Sequence, residues 1–341
     1  MAQLSIVILN WNGKNYLQEF LPSVLKHSNN TEIIVADNAS SDDSIAFLKE
    51  NYPQIRIIQN DSNGGFAKGY NDALKLVDSE FYLLLNSDIE VTNNWLDPLM
   101  DVMKNSNIGG CQPKVLSFHD QSTFEHAGAS GGFLDRNYYP FCRGRIVDKF
   151  EEDRGQYNDE TEVFWATGAA FLIRSELYHK LGGFDEDFFA HMEEIDLCWR
   201  AKKMGYSFMV SPKSVVYHVG GGTLPYTSPT KTYLNFRNSL YMIVKNHPGW
   251  LAPKLFYRLI LDGVAGVRFL FIGEFKLLWA LIRAHLGMYK RISSLLKKRK
   301  NIKTTVSNPN PIGMYYGSII WARYFKGIKK YSDLNQRLFK R

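Results

Sequence analysis

Three groups of side chains have the types and spacing for chemistry: Asn86-Ser87-Asp88, His218, and the run Glu193-Glu194-Ile195-Asp196. An Asp at the end of an apolar stretch can hold a divalent cation against a phosphate, because hard cations take oxygen ligands. The plain structural reading of the same tripeptide is an Asx turn. His218, just ahead of Gly220-Gly221-Gly222, suits a second metal ligand, since neutral imidazole coordinates well and the glycines permit a loop that closes over a ligand. A satisfied core histidine is its alternative. In the acidic run, Glu193, Asp196 and Arg200 share one helix face and suit a structural ion-pair set, whereas Glu194 points elsewhere and is free to take a proton from an attacking hydroxyl.

Strands and helices must bring these residues together. Leu4–Leu9, Glu32–Ala36, Ile55–Gln59 and the apolar run ending at Leu85 read as buried strands, and helical spacing follows each of the first three. Such alternation predicts an α/β fold with a doubly wound, mostly parallel sheet. Asn10, Asp37, Asn63 and Asp88 then fall just beyond the carboxyl ends of successive strands and gather along one edge, where open α/β sheets bind ligands. There Asp37 could accept the imide N–H of a pyrimidine or a ribose hydroxyl, unless it merely leads into the next helix. The stretch Asn63-Gly64-Gly65 to Asn71 offers glycines for close approach and amides for phosphate or ribose.

Further on, helices are expected from near Trp95 and over Met192–Met204, strands over Cys111–Phe118, Glu162–Ile173 and Ser214–His218, and an acidic loop over Asp148–Glu162. From Thr230 the chain turns helical, aromatic and basic. Residues from Lys245 onward carry a formal +17 against −10 before them, within an overall +7. That asymmetry points to an anionic partner for the tail: a membrane surface, with nucleic acid the weaker choice because no motif for it occurs. A helical cap that neutralises the acidic body is the structural alternative. The apolar region Leu251–Met288 is interrupted by seven charged residues, so no spanning helix is expected.

Three widely spaced cysteines without a CxxC pair argue against a disulfide framework or a zinc site and for a reducing, cytoplasmic setting. The N-terminal residues do not have the form of a signal peptide. Neither GxGxxG after the first strand nor GxxxxGK[ST] is present, so a diphosphate would need a cation rather than a phosphate loop.

Read in order, Ile6-Val7-Ile8-Leu9-Asn10-Trp11-Asn12-Gly13, Val35-Ala36-Asp37-Asn38-Ala39-Ser40, Asn63-Gly64-Gly65-Phe66-Ala67, Asn86-Ser87-Asp88, Gly168-Ala169, Gly182-Gly183-Phe184-Asp185-Glu186, Glu193-Glu194-Ile195-Asp196-Leu197 and His218 resemble the family 2 glycosyltransferases. Within that family they look most like the rhamnosyltransferase-like branch. The match runs over about residues 3 to 223. It implies a GT-A fold, a nucleotide-diphosphate sugar donor, a Mg2+ or Mn2+ ion and inversion at the anomeric carbon. By position, Asp37 would contact the nucleotide along with Asn10, Asn63, Gly64, Asn71 and Asn86, Asp88 and His218 would bind metal, and Glu194 would be the catalytic base. The sequence has Asn86 at the first DxD position and Glu193-Glu194 where the family commonly has Glu-Asp, which keeps Glu193 and Asp196 as alternative bases.

These readings divide the chain into a catalytic domain, residues 1–230, and a helical basic extension, 231–341, that lies peripherally at the cytoplasmic face of the inner membrane. The acceptor would be a glycan or a lipid-linked glycan. Two other functions fit the same composition: a sugar-phosphate nucleotidyltransferase, for which Asn10-Trp11-Asn12-Gly13-Lys14 is a poor phosphate loop, and a non-catalytic binding protein for nucleotide sugars or membranes.

Overall fold

The computed structural model describes residues 2–126, 128–220, 228–302 and 312–340. Its first half alternates β1 (Ala2–Asn10), α1 (Lys14–His27), β2 (Glu32–Asp37), α2 (Ser44–Asn51), β3 (Arg56–Gln59), α3 (Gly65–Leu74), β4 (Ser79–Asn86), β5 (Ile89–Val91), α4 (Leu96–Met103) and β6 (Ile108–Ser117). Four short strands follow: β7 (Gly132–Asp135), β8 (Pro140–Cys142), β9 (Arg145–Ile146) and β10 (Lys149–Phe150). Then come β11 (Thr161–Val163), β12 (Ala170–Arg174), α5 (Ser175–Lys180), α6 (Glu193–Lys202) and β13 (Ser207–His218). The chain closes with α7 (Pro229–Asn246), α8 (Leu251–Phe271), α9 (Phe275–Asn301), β14 (Met314–Tyr315) and α10 (Ile319–Tyr324).

Among the described residues, the main sheet has the order β11-β13-β6-β12-β4-β1-β2-β3, with β5 on β13. The β4-β1-β2-β3 half is parallel, as the βα alternation requires. The other half is mixed: β12 runs antiparallel between β4 and β6, and β11 and β5 run antiparallel to β13. Strict alternation sorts the core to both faces. Val7, Ile34 and Leu84 join one cluster; Ile6, Ile8, Val35, Leu83 and Leu85 join the other. With both faces covered, these strands become the near-continuous apolar runs seen in the sequence.

A second sheet, β10-β9-β8-β7-β14, is absent from the sequence expectations. Its strands of two to four residues are too short to display alternation, and it occupies part of the segment expected to be an acidic loop. The single strand expected over Glu162–Ile173 is two, β11 and β12, separated by residues 164–169, which turn into the interior.

The extension is not a detached tail. All residues of α7 from Asn238 to Asn246 are buried, and α7 packs against α6 and α9. Lys245 joins Asp185 at 2.5 Å and Asp196 at 2.8 Å, while Lys298 of α9 reaches Asp185 and Asp187 at 2.5 and 2.8 Å. In α8 the usual amphipathic order is inverted. Its buried residues are Arg258, Asp262 and Gly266. Arg258 donates to Asp262 and Ser239 at 2.9 Å, and Tyr139 donates to Asp262 at 3.2 Å. Phe256, Ile260, Val264, Val267, Leu270 and Phe271 face outward, continued by Phe275 and Trp279 of α9. Among the described residues no helix is long and apolar enough to cross a membrane.

Candidate active site

At the carboxyl edge of β4 the chain turns through Ser87 and Asp88 into β5, which pairs with the end of β13 so that Ile89 lies opposite His218. The Val219 amide donates to the Asp88 carbonyl at 3.1 Å, which locks the two ends together. His218 Nε2 then sits 3.2 Å from Asp88 Oδ1, and Nδ1, on the other edge of the ring, sits 3.1 Å from Glu125 Oε2. Burial works against a charged imidazole, but the two flanking carboxylates outweigh it and hold the His218 pKa up to about 10. The His218 side of the same pair lowers the Asp88 pKa although burial opposes ionisation.

Once the imidazole gives up its proton, this donor set suits a divalent cation. An oxygen and a nitrogen ligand converge at a separation typical of neighbouring ligands, and a carboxylate backs the imidazole as it does at many metal sites. Among the described residues no group of three His, Cys, Asp or Glu side chains forms a closed metal cage. Two protein ligands leave coordination positions for phosphate oxygens, the usual arrangement for Mg2+ on a nucleotide.

Asp88 and His218 line a cavity of about 740 Å3 that also takes in Asn63, Asn86, Glu193, Glu194, Trp11, Asn38, Trp165 and Gly168. Glu193 and Glu194 open α6, and each keeps one buried carboxylate oxygen, Oε2, without a hydrogen-bond partner. Burial raises the Glu194 pKa to about 7; burial and the neighbouring Glu194 charge raise Glu193 well above the carboxylate range. A Cβ on Gly168 would stand 3.2 Å from Phe66 and 3.9 Å from Glu194, so the bare backbone here lets the β11–β12 connection pass beside the acid pair. Asp196 is different. Fully buried, it accepts from Arg200 at 2.8 Å, Lys245 at 2.9 Å and Asn246 at 2.7 Å, and does not line the cavity. As an alternative base it is therefore excluded, since every proton-accepting direction is already used by fixed cations and an amide.

The opposite end of the cavity is built from the β1–β3 edge. Asn10 donates to Asp37 Oδ1 at 3.1 Å and to Ser40 Oγ at 3.2 Å, and the Ser40 amide donates to Asp37 Oδ2 at 2.9 Å. Asn10 and Asp37 are nearly inaccessible and stand behind the wall formed by Trp11, Asn12, Asn38 and Asn63. Asn38 donates to Asn63 Oδ1 at 2.9 Å. Gly64 caps α3 and packs on Lys68, outside the cavity lining. Asn71 departs most from expectation: it accepts from Tyr178 at 2.7 Å and the Phe184 amide at 3.0 Å, and donates to the Phe184 carbonyl at 2.9 Å. It anchors residues 183–186 and does not line the cavity, so it is a brace rather than a donor contact.

Between α5 and α6 the backbone is strained. Phe189, His191 and Met192 all have positive φ, near 66°, 71° and 74°, and all three line the cavity. Gly65 packs so tightly on Phe189 that a Cβ would collide with its carbonyl oxygen. The segment is held from the extension: Asn238 Nδ2 lies 2.9, 2.8 and 2.7 Å from the carbonyl oxygens of Phe188, Ala190 and His191, and Arg237 donates to Asp187 and Phe188. Glu125 and Asn238 thus belong to the site although no motif singled them out. Gly220 lines the cavity, but Gly221 and Gly222 of the expected closing loop lie outside the described residues.

An acid pair, a carboxylate–imidazole pair and an asparagine-lined recess along the carboxyl edge of this sheet define an α/β enzyme of GT-A architecture. The chain belongs to glycosyl transferase family 2, whose model matches residues 5–182, and it is a glycosyltransferase. An N-acetylglucosaminyl-diphospho-decaprenol L-rhamnosyltransferase of Mycobacterium tuberculosis is 22% identical over 264 residues, covering 72% of this chain and 86% of that protein. A low-salt glycan biosynthesis hexosyltransferase, Agl10, of Haloferax volcanii is 22% identical over 243 residues, covering 70% and 74%. Among solved structures, GalNAc-T7 with UDP, GalNAc and Mn2+ has a TM-score of 0.59 at 16% identity and covers 95% of this chain, which spans 56% of that one. A mannosyltransferase of Pyrobaculum calidifontis with GDP-Man and Mn2+ has a TM-score of 0.52 at 14% identity, covering 88% and 79%.

Proposed function

We propose that the enzyme transfers a sugar, with inversion, from a nucleoside-diphosphate donor to a hydroxyl of a glycan or lipid-linked acceptor, and that rhamnose is the sugar to test first. The observation that carries the reading is the convergence of Asp88 and His218 with Glu193 and Glu194 in one cavity of about 740 Å3, a size typical of ligand pockets. The rhamnosyltransferase relative supports the choice of sugar and of a lipid-linked acceptor.

In this reading Trp11, Asn38 and Asn63 face the nucleoside, with Asn10 and Asp37 fixing that wall from behind. Asp88 and His218 would hold Mg2+ or Mn2+, with Glu125 orienting the imidazole and Asn86 beside them at the donor. When bound, the cation supplies neutralising charge for the departing diphosphate. Glu194 takes the proton from the acceptor hydroxyl as it attacks, in a single displacement that needs no covalent intermediate. Glu194 is preferred to Glu193 because Glu193 is nearly inaccessible, and burial and the Glu194 charge raise its pKa further above the ordinary carboxylate range.

The outward apolar face of α8 and α9, edged by Arg268, Lys276 and Arg283, is suited to lie in the interface of an anionic membrane. Residues 1–230 then carry the transfer chemistry and 231–341 the membrane contact. A nucleic-acid partner has no support in this geometry. Nor does the nucleotidyltransferase reading, since Lys14 pairs with Asp43 at 3.2 Å instead of lining the cavity.

The test is a donor panel of dTDP-rhamnose, UDP-hexoses, UDP-galactofuranose and GDP-mannose, assayed for binding and hydrolysis with Mg2+ or Mn2+. Metal-dependent turnover of one donor is expected. Binding of none with either ion would sink the proposal.

A further inference from the structure

The cavity contains a second charged group that donor chemistry at Asp88 and His218 leaves unused. Arg145 of β9, His126 and Lys231 of α7 all line it. Arg145 Nη1 lies 2.7 Å from His126 Nε2, so the imidazole nitrogen accepts from the guanidinium. Arg145 is only 6% exposed, and among the described residues its Nε has no hydrogen-bond acceptor, although the guanidinium also bears on the buried Cys142 thiol. A buried guanidinium N–H left unpaired is costly, and such groups ordinarily mark a place filled by an ion, water or ligand. Burial, then the Arg145 charge and that of Lys231, lower the His126 pKa, and burial with the Arg145 charge lowers that of Lys231, while the Glu125 carboxylate opposes both shifts.

The group adjoins the Asp88–His218 end through Glu125, while its Arg145 comes from a different sheet. His218 turns one ring edge to Asp88 and the other to Glu125, and His126 follows Glu125 directly. Arg145 comes from the small sheet, whose Pro140 and Arg145 form the cavity wall together with Trp165, whereas Leu9, Trp11, Asn38 and Asn63 of the main sheet form the nucleoside wall. Glu194 lines the same cavity as both.

We propose that Arg145, Lys231 and His126 form an anion subsite for a phosphoryl group carried by the acceptor, distinct from the site of the donor diphosphate. The inference rests on the glycosyl-transfer reading and specifies its second substrate: a hydroxyl-bearing acceptor that also carries a phosphate ester or diphosphate. Arg is the suitable reader because its planar fork pairs with two phosphate oxygens, while Lys adds a point charge.

The experiment uses the full chain with saturating Mn2+ and the tightest nucleoside diphosphate from a panel of UDP, dTDP and GDP. Calorimetry then compares farnesyl diphosphate with farnesol, which shares its chain without the anion. Wild-type protein should bind farnesyl diphosphate about tenfold or more tightly than farnesol, the scale of charge-assisted hydrogen bonds. Arg145→Met and Lys231→Met should each remove most of that gain and leave nucleoside diphosphate affinity within about twofold, a ratio too small to signal a lost charged contact. Lys231 lies at the start of α7, so its variant keeps the test open if Arg145→Met fails to fold. Equal affinity for the two farnesyl compounds would overturn the subsite. So would displacement of the nucleotide by farnesyl diphosphate, or a loss of nucleotide affinity in both variants, since the cations would then serve the donor. Failure of every nucleoside diphosphate to bind would count instead against the transfer reading, and the farnesyl pair would still report on the subsite alone.

Discussion

Asn238 of α7 lies with its amide nitrogen 2.7 Å from the carbonyl oxygen of His191, two residues before the acid pair. A residue of the basic extension thereby holds the left-handed backbone from which α6, and with it Glu194, projects. Replacing Asn238 with Leu should cost about 1–3 kcal/mol through the stranded carbonyls, read by denaturant unfolding. The more telling readout is kinetic: kcat should fall at least about tenfold with donor KM nearly unchanged, since misplacement affects the attack and not the nucleotide. An unchanged kcat in a destabilised variant would reduce Asn238 to a packing residue.

Glu194→Gln should lower kcat by about 10²- to 10⁴-fold while donor affinity persists. Glu193→Gln should have a smaller effect, because that carboxyl is nearly inaccessible to an acceptor hydroxyl. Equal losses in the two variants would shift the base assignment to the pair as a unit.

Burial places the Glu194 pKa at about 7, above the ordinary 4.5. The base is therefore increasingly ionised as pH rises, and kcat should climb through neutrality and level off above it. Stability moves the other way: between 4.5 and 7 the folded protein binds more protons than the unfolded one, so this group's contribution, full below 4.5, is lost as pH rises through 7. Paired measurements of rate and unfolding free energy across pH 5 to 8 should show both slopes, and Glu194→Gln should flatten both.

Glu125 touches His218 from the edge opposite Asp88. Glu125→Gln should weaken Mn2+ binding by about 10- to 100-fold, the usual cost of losing a carboxylate behind a liganding histidine. Asp88→Asn should weaken it further. Titration with Mn2+ followed by electron paramagnetic resonance would check both, and wild-type affinity in both variants would remove the metal assignment.

The outward faces of α8 and α9 predict flotation with vesicles containing anionic lipid. Phe271→Glu together with Trp279→Glu should abolish it with little change in melting temperature, because both side chains are more than half exposed. Persistent flotation would mean that the basic residues act without the apolar face.

Much of the site was legible because it follows from strand ends. Asp88, His218, Asn63 and Glu194 share the cavity as expected: the parallel half-sheet delivers Asn63 and Asp88 to its edge, the end of β13 adds His218, and the start of α6 adds Glu194. The errors have physical origins. Asn71 lies in the expected glycine-rich stretch, but one helical turn beyond the cavity its amide pairs with Phe184, and linear spacing carries no sign of that. Glu125 follows an isolated bridge at Phe124 and Arg145 belongs to a two-residue strand, elements without periodicity. In α8, Arg258 and Asp262 look like interruptions of an apolar helix, yet they are its buried face. Hydropathy locates the two faces of such a helix without saying which one meets the protein.

The pairing of β14 with β7 has a temporal consequence. Met314 lies beside Leu134, and the Ile319 amide donates to Asp135 at 3.0 Å across 184 residues. The small sheet that supplies Arg145 to the cavity therefore stays incomplete until residues 314–315 have left the ribosome. Contacts of such sequence separation form late and slowly. A nascent chain halted before residue 314 would carry the Asp88 and Glu194 motifs without this edge strand, so the sheet beneath Arg145 is completed only after both motifs have been made.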